Sequence, residues 1–344
     1  MTDLEERVFL EAILDAPDDD TPRHVYADWL HWRGDIRGEL IAVQLRIANL
    51  GAEGPVTEES FQLRAREAEI LDRHGTELLG PLQGVVRRAV YRRGFLSECL
   101  CSGRLDVDSI ADNPRWSTVE TLEYEAVADH PVLPRRSVFR SLRRVGGITW
   151  KSAAIYACDS ELAPIDHLLI DEYRHPSRDM LNLVATRPGL AALRRIDLGA
   201  GPGRGVENHY APHILWQLRD RIEVLGIEDV PESLGAWIEW FVEQQGLQGI
   251  VLGMGASWRH AVRDPIEVEI RHGARALAAY VRYRPKPQHA VDELMPWLVA
   301  LGTFGAQRFE EVIFDIPIPA DVPDRLAREI HAWRAWNPFA LRAR

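Results

Sequence analysis

Leu193-Arg194-Arg195-Ile196-Asp197-Leu198 carries apolar residues at its first, fourth and sixth positions, and it runs straight into Gly199-Ala200-Gly201-Pro202-Gly203-Arg204-Gly205. The same spacing recurs at Val119/Leu122/Tyr124, Ile165/Leu168/Ile170, Ile222/Leu225/Ile227, Leu247/Ile250/Leu252 and Phe309/Val312/Phe314. A looser copy is Leu142/Val145/Gly147, with Ile148 one place further on. Before residue 255 the copies begin at residues 119, 142, 165, 193, 222 and 247, so successive starts lie 23, 23, 28, 29 and 25 residues apart. A repeat of this kind dictates architecture, because one unit cannot bury its apolar face alone and neighbouring units bury it by stacking.

The period lies in the range of roughly 20–29 residues found in leucine-rich repeats. Helical segments fall between the copies. Ser177 is placed to cap a helix over 178–187, Pro212 opens one containing Ile214, Leu215 and Leu218, and a third spans 232–245 with Trp237, Ile238, Phe241 and Val242 on one side. The expected fold is therefore α/β: a leucine-rich-repeat-like solenoid, with a curved parallel sheet inside and helices outside. After Gly255 the pattern changes. Residues 266–270 and 276–283 flank Arg271-His272-Gly273-Ala274 and read as a hairpin or irregular repeat. A helix at 290–301, a strand at 309–316 and a final helix at 321–335 complete the expectation.

The first eighty residues read differently. Apolar periodicity predicts helices over 4–15, from about 21 to Gly34, over 36–50 and over 58–76, with Asp20 or Thr21 able to cap the second. Two short strands follow at 85–90 and 94–100. Four segments in this region, Pro17 to Leu30, Arg33 to Ile41, Arg73 to Leu82 and Arg93-Gly94-Phe95, resemble in order the bacterial repeat-companion domain. That module precedes degenerate leucine-rich repeats, and the resemblance covers about residues 4–100. It implies a repeat array downstream and no catalytic role of its own. His31-Trp32 departs from the family pattern, where acidic residues are more usual. A mainly helical piece is suited to capping a solenoid, whose end would otherwise expose its core. The expected organisation is a helical domain over 1–83, the solenoid over 84–318 and a C-terminal capping helix over 319–344. Tyr26, Asp28, Asp35, Arg37 and Glu39 sit among the apolar helix positions and read as a buried set locking the helices together.

Composition narrows the function classes. The chain of 344 residues is 46% apolar and 27% charged, with a formal net charge of −11. Such a balance argues against general nucleic-acid binding, which needs surplus cations to neutralise phosphate. Arg87, Arg88, Arg92 and Arg93 form a local basic cluster that reads as a solvated strand face. No apolar run approaches the roughly 18 residues of a bilayer span, and the acidic N-terminus lacks a signal-peptide stretch, so a cytoplasmic location without membrane attachment is expected. Three cysteines give no disulfide framework, and Cys99 and Cys101 read as buried strand residues.

Strand alternation gives the candidate site. If Leu122, Leu168, Ile196, Leu225 and Ile250 face the core, their neighbours face the other side of the sheet. On that concave side Glu123, Glu125, His167, Asp171, Arg195, Asp197 and Glu228 are the expected contacts for another protein. The expected function is that of a non-enzymatic adaptor, sensor or target in a bacterial signalling or defence pathway, with no cofactor and no metal. A rival reading rests on residues 196–205, which look like the first motif of class I methyltransferases. In that reading Asp197, Gly199, Gly201 and Gly203 would approach S-adenosylmethionine and Glu228 would hold its ribose. The gap from Asp197 to Glu228 is 31 residues against roughly 20 in comparable nucleotide-binding units. His209 and His213, four residues apart, lack the third ligand that zinc requires.

Overall fold

In every described copy between residues 119 and 252 the apolar triplet is buried: Leu168 and Ile196 are 0% exposed, and the least covered member, Leu247, is 7% exposed. The computed structural model describes residues 2–50, 57–102, 110, 112–128, 134–172, 176–199, 214, 217–218, 220–227, 234–243, 247–254, 266–272, 277–283, 301, 309–315 and 340–343. Two compact units emerge, the first from residues 1–126, 132–144 and 161–163, the second from 127–131, 145–160 and 164–344. The first unit runs beyond residue 83, the sequence-based boundary, because it takes in three strands as well as the helices.

The first unit begins with α1 (Thr2–Asp15), α2 (Thr21–Trp32), α3 (Ile36–Asn49) and α4 (Glu58–Leu79). Ile13, Tyr26, Ala27, Leu30, Ile41 and Leu45 form one core cluster, and Leu40, Val43, Ile70 and Leu78 another. Each buried leucine, isoleucine or valine among them contributes about 1.5–3 kcal/mol through burial. The start of α2 differs from the expected cap. Asp20 occupies the N-cap position without a side-chain bond to the helix backbone, and it is Asp19 Oδ1 that accepts from the Thr21 N–H at 2.8 Å. Strands β1 (Val86–Arg92) and β2 (Phe95–Cys101) form an antiparallel hairpin, and β3 (Thr121–Ala128) lies parallel to β2. Arg93 and Gly94 link the hairpin with φ of 51° and 81°. Two positive values in a two-residue loop match the right-handed twist of the strands. The loop is anchored where the Gly94 N–H donates to Gln44 Oε1 at 2.6 Å.

The second unit is mixed α/β with a mostly parallel sheet of nine strands, each adjacent to the next in sequence. They are β4 (Arg144–Ile148, of which Val145 onward belongs to this unit), β5 (His167–Ile170), β6 (Arg195–Leu198), β7 (Val224–Ile227), β8 (Gly249–Met254), β9 (Ile266–His272), β10 (Leu277–Tyr283), β11 (Phe309–Asp315) and β12 (Ala340–Ala343). Pairings from β5 to β8 are parallel and in one register, so Leu168, Ile196, Leu225 and Ile250 align as a single apolar row. The change after Gly255 is real: β9 pairs antiparallel with both β8 and β10, after which β11 and β12 return to parallel. Helices α5 (Trp150–Cys158), α6 (Arg178–Thr186) and α7 (Leu234–Glu243) alternate with the strands. Ser177 caps α6 by accepting from the Met180 N–H at 3.2 Å. Residues Ala340–Ala343 form β12 rather than the end of a capping helix, since their backbone pairs with β11. The expected helix at 321–335 lies outside the described residues.

Candidate functional site

Strand register sets two rows across the non-core side of the second unit's sheet. One row is His167, Arg195, Val224, Gly249 and Arg271; the other is Leu169, Asp197, Gly226, Val251 and Glu269. Charged residues gather at both flanks, and valines and glycines occupy the middle. Among these, Leu169 and Val251 are each 5% exposed.

At the first flank Asp197 is the shared acceptor. His167 Nε2 donates to Asp197 Oδ2 at 2.7 Å. Arg195 adds a bidentate pair, Nε to Oδ1 at 2.7 Å and Nη2 to Oδ2 at 2.9 Å. Parallel N–H donors matched to both carboxylate oxygens make the strongest kind of side-chain bond. Burial by itself would raise the Asp197 pKa, but the charges and hydrogen bonds of His167 and Arg195 outweigh it and hold the carboxyl well below the usual range. The carboxylate leans over β7. A Cβ placed on Gly226 would lie 2.0 Å from Asp197 Oδ1 and 2.6 Å from its Cγ. Only glycine at 226 leaves that carboxylate room. At the opposite flank, Arg271 pairs with the buried Glu269 on neighbouring positions of β9. Sequence reading found β9 from its alternation but not this pair, because period-two spacing does not say which face meets solvent.

The remaining expected residues divide by location. Glu123 and Glu125 lie on β3 in the first unit. Glu123 is 2% exposed, with Arg144 Nη2 at 3.1 Å, and Glu125 is exposed, 4.0 Å from Arg87. Asp171 follows β5 and is 3% exposed, so neither it nor Glu123 projects to solvent as a concave-face contact would. Gly199 backs onto Asp171, and a Cβ there would sit 3.2 Å from Asp171 Oδ1. Gly201, Gly203, Glu228, His209 and His213 lie outside the described residues. Among the described residues no group of three or more His, Cys, Asp or Glu side chains gathers as metal ligands, and no helix is long and apolar enough to cross a membrane.

In the first unit the polar helix residues form a network. Tyr26 Oη donates to Glu6 Oε1 at 2.7 Å, and Arg37 donates to Asp35 through Nε and Nη2 and to Glu6 through Nη1. Glu39 accepts from Arg66, joining α3 to α4, whereas Asp28 is exposed and stands apart from the set. Glu6 entered this network unforeseen, since nothing in its local spacing marks it. Cys99 and Cys101 are both buried on β2, and the hydrogen bond with Cys101, followed by burial, raises the Cys99 thiol pKa.

Comparison with protein-family models, with curated proteins and with solved structures finds no match for this chain.

Proposed function

We propose that the chain is a non-enzymatic protein-binding scaffold: a leucine-rich-repeat-like solenoid preceded by a helical companion region. Its partner seats on the non-core face of the second unit's sheet. The observation that carries this reading is the pair of aligned rows across β5 to β9, with Val224, Gly226, Gly249 and Val251 between two charged flanks. Half-buried Val224 lies between charged groups that can fix a partner's orientation, and extended sheet faces are the usual binding surfaces of repeat folds.

Strand order favours the scaffold over the methyltransferase reading. Doubly wound nucleotide-binding sheets place the ligand where strand order reverses. Here β4 to β12 follow one another without a reversal. The two described members of the glycine-motif set also have packing explanations: Asp197 is held by His167 and Arg195, and Gly199 lies beneath Asp171.

The test is a photo-crosslinking residue placed at half-buried Val224 and, separately, at Ile155 on the exposed side of α5. In native lysate one defined protein adduct should form from position 224, and none of the same mass from 155. Saturable S-adenosylmethionine binding by calorimetry, or adducts only from 155, would overturn the reading.

A further inference from the structure

Within the first unit lies a cavity of about 680 Å³. Leu10, Ile41, Leu78 and Leu96 supply apolar wall, and Arg37, Tyr91 and Arg115 supply polar groups. The two guanidiniums differ in their surroundings. Arg37 is matched by Asp35 and Glu6. Arg115 gives Nη1 to the Leu78 carbonyl at the end of α4, and among the described residues no carboxylate lies within ion-pair distance of it. Burial, followed by the nearby charge of Arg37, lowers the Arg115 pKa despite the attraction of Glu6. This is the behaviour of a cation short of counter-charge.

Tyr91 is the second unmatched group. Its hydroxyl is buried and has no hydrogen-bond partner among the described residues. Buried hydroxyls nearly always have one, so an orphan beside a cavity marks a position where something binds. Burial pushes the Tyr91 pKa up to about 12, so the group stays a neutral donor, and Arg115 is close enough to act on it. Gly80, with φ of 53°, keeps the space over Arg115 open: a Cβ there would lie 3.2 Å from Nε, 3.3 Å from Cζ and 3.3 Å from Nη2. Near-equal distances put that position above the flat face of the guanidinium, so Gly80 lets the backbone stack there without crowding Arg115.

We propose that this cavity binds a small monocarboxylic acid with an apolar body, its carboxylate held by Arg115 and the Tyr91 hydroxyl. A guanidinium edge reads a carboxylate through two parallel N–H bonds. The volume falls within the roughly 300–1,000 Å³ of small-molecule sites, and an apolar wall with few polar groups is their usual lining. Of the charged residues lining the cavity, Arg7, Arg37 and Arg115 outnumber Glu6 and Asp112 by one, which matches a monoanion better than a phosphate dianion.

The test titrates the full chain with hexanoate by calorimetry, using hexanamide and inorganic phosphate as controls. Hexanoate should bind saturably, and both controls should fail. Arg115→Gln should weaken hexanoate at least about tenfold, in line with loss of a charged hydrogen bond. Tyr91→Phe should weaken it about threefold or more through loss of a neutral one. Should Arg115→Gln fail to fold through loss of its bond to α4, Tyr91→Phe and the cavity-filling Leu10→Trp decide. No saturable hexanoate binding, equal binding of hexanamide, tighter binding of phosphate, or affinity unchanged in the folded variants would overturn the proposal.

Discussion

Gly226 is glycine because the Asp197 carboxylate occupies the space a side chain would need. Gly226→Ala should displace that carboxylate from His167 and Arg195 and cost about 1–3 kcal/mol in urea unfolding, the range for leaving a buried polar group unmatched. In an Asp197→Ala background the same substitution should cost far less, a coupling a double-mutant cycle resolves. Equal cost in both backgrounds would detach Gly226 from Asp197. The depressed Asp197 pKa also has a pH signature. Its stabilisation is fully present above the unfolded value of about 3.9 and is lost as pH falls below it towards the lower folded value. Asp197→Asn should therefore flatten the acid limb of the stability curve below about pH 4, measured by denaturation at stepped pH. Asp197 itself was legible as a strand residue. Its bond to His167 was not, because contact across strands depends on register between segments 28 residues apart, His167 to Arg195, which no local pattern encodes.

Strands in the repeat were legible because each copy carries three apolar positions with fixed spacing, and burial of those positions is what makes the strand. Leu168, the β5 member of the aligned apolar row, is 0% exposed. Leu168→Ala should cost about 2–5 kcal/mol in chemical denaturation, the usual range for a truncated core leucine; a cost below about 1 kcal/mol would mean the row is not a tight core. Helix α5 was not read from sequence, and its outer side explains why. Lys151, Ile155 and Cys158 are the exposed residues, spaced four and three apart, while nearly all the rest is buried. With an isoleucine and a cysteine facing outward and alanines inward, hydropathy carries no 3.6-residue wave although the geometry does. Thr149, which accepts from the Ser152 N–H at 3.1 Å, was the one local sign of a helix start. Strand β12 is only four residues long and lies in Ala340-Leu341-Arg342-Ala343, too short for alternation to register.

Across the whole chain the formal charge of −11 sets an expectation about partners. Duplex DNA should not be retained at about 0.15 M salt, because few phosphates could be neutralised; micromolar retention in a filter-binding measurement would overturn it. On the scaffold reading proposed above, the acidic excess of the chain favours a partner with basic side chains. The order of the nine-strand sheet has a different consequence, for how the protein is made. Each strand pairs with the next to leave the ribosome, and β5 and β6 begin 28 residues apart, at His167 and Arg195. At roughly 5–20 residues per second, such a spacing means roughly one to six seconds between successive strands, far longer than the microseconds a strand pairing needs. The sheet can therefore grow during translation by adding one strand at a time. At each step the newest strand presents an unpaired edge to the cell, and that edge stays a template for unwanted pairing until its successor arrives.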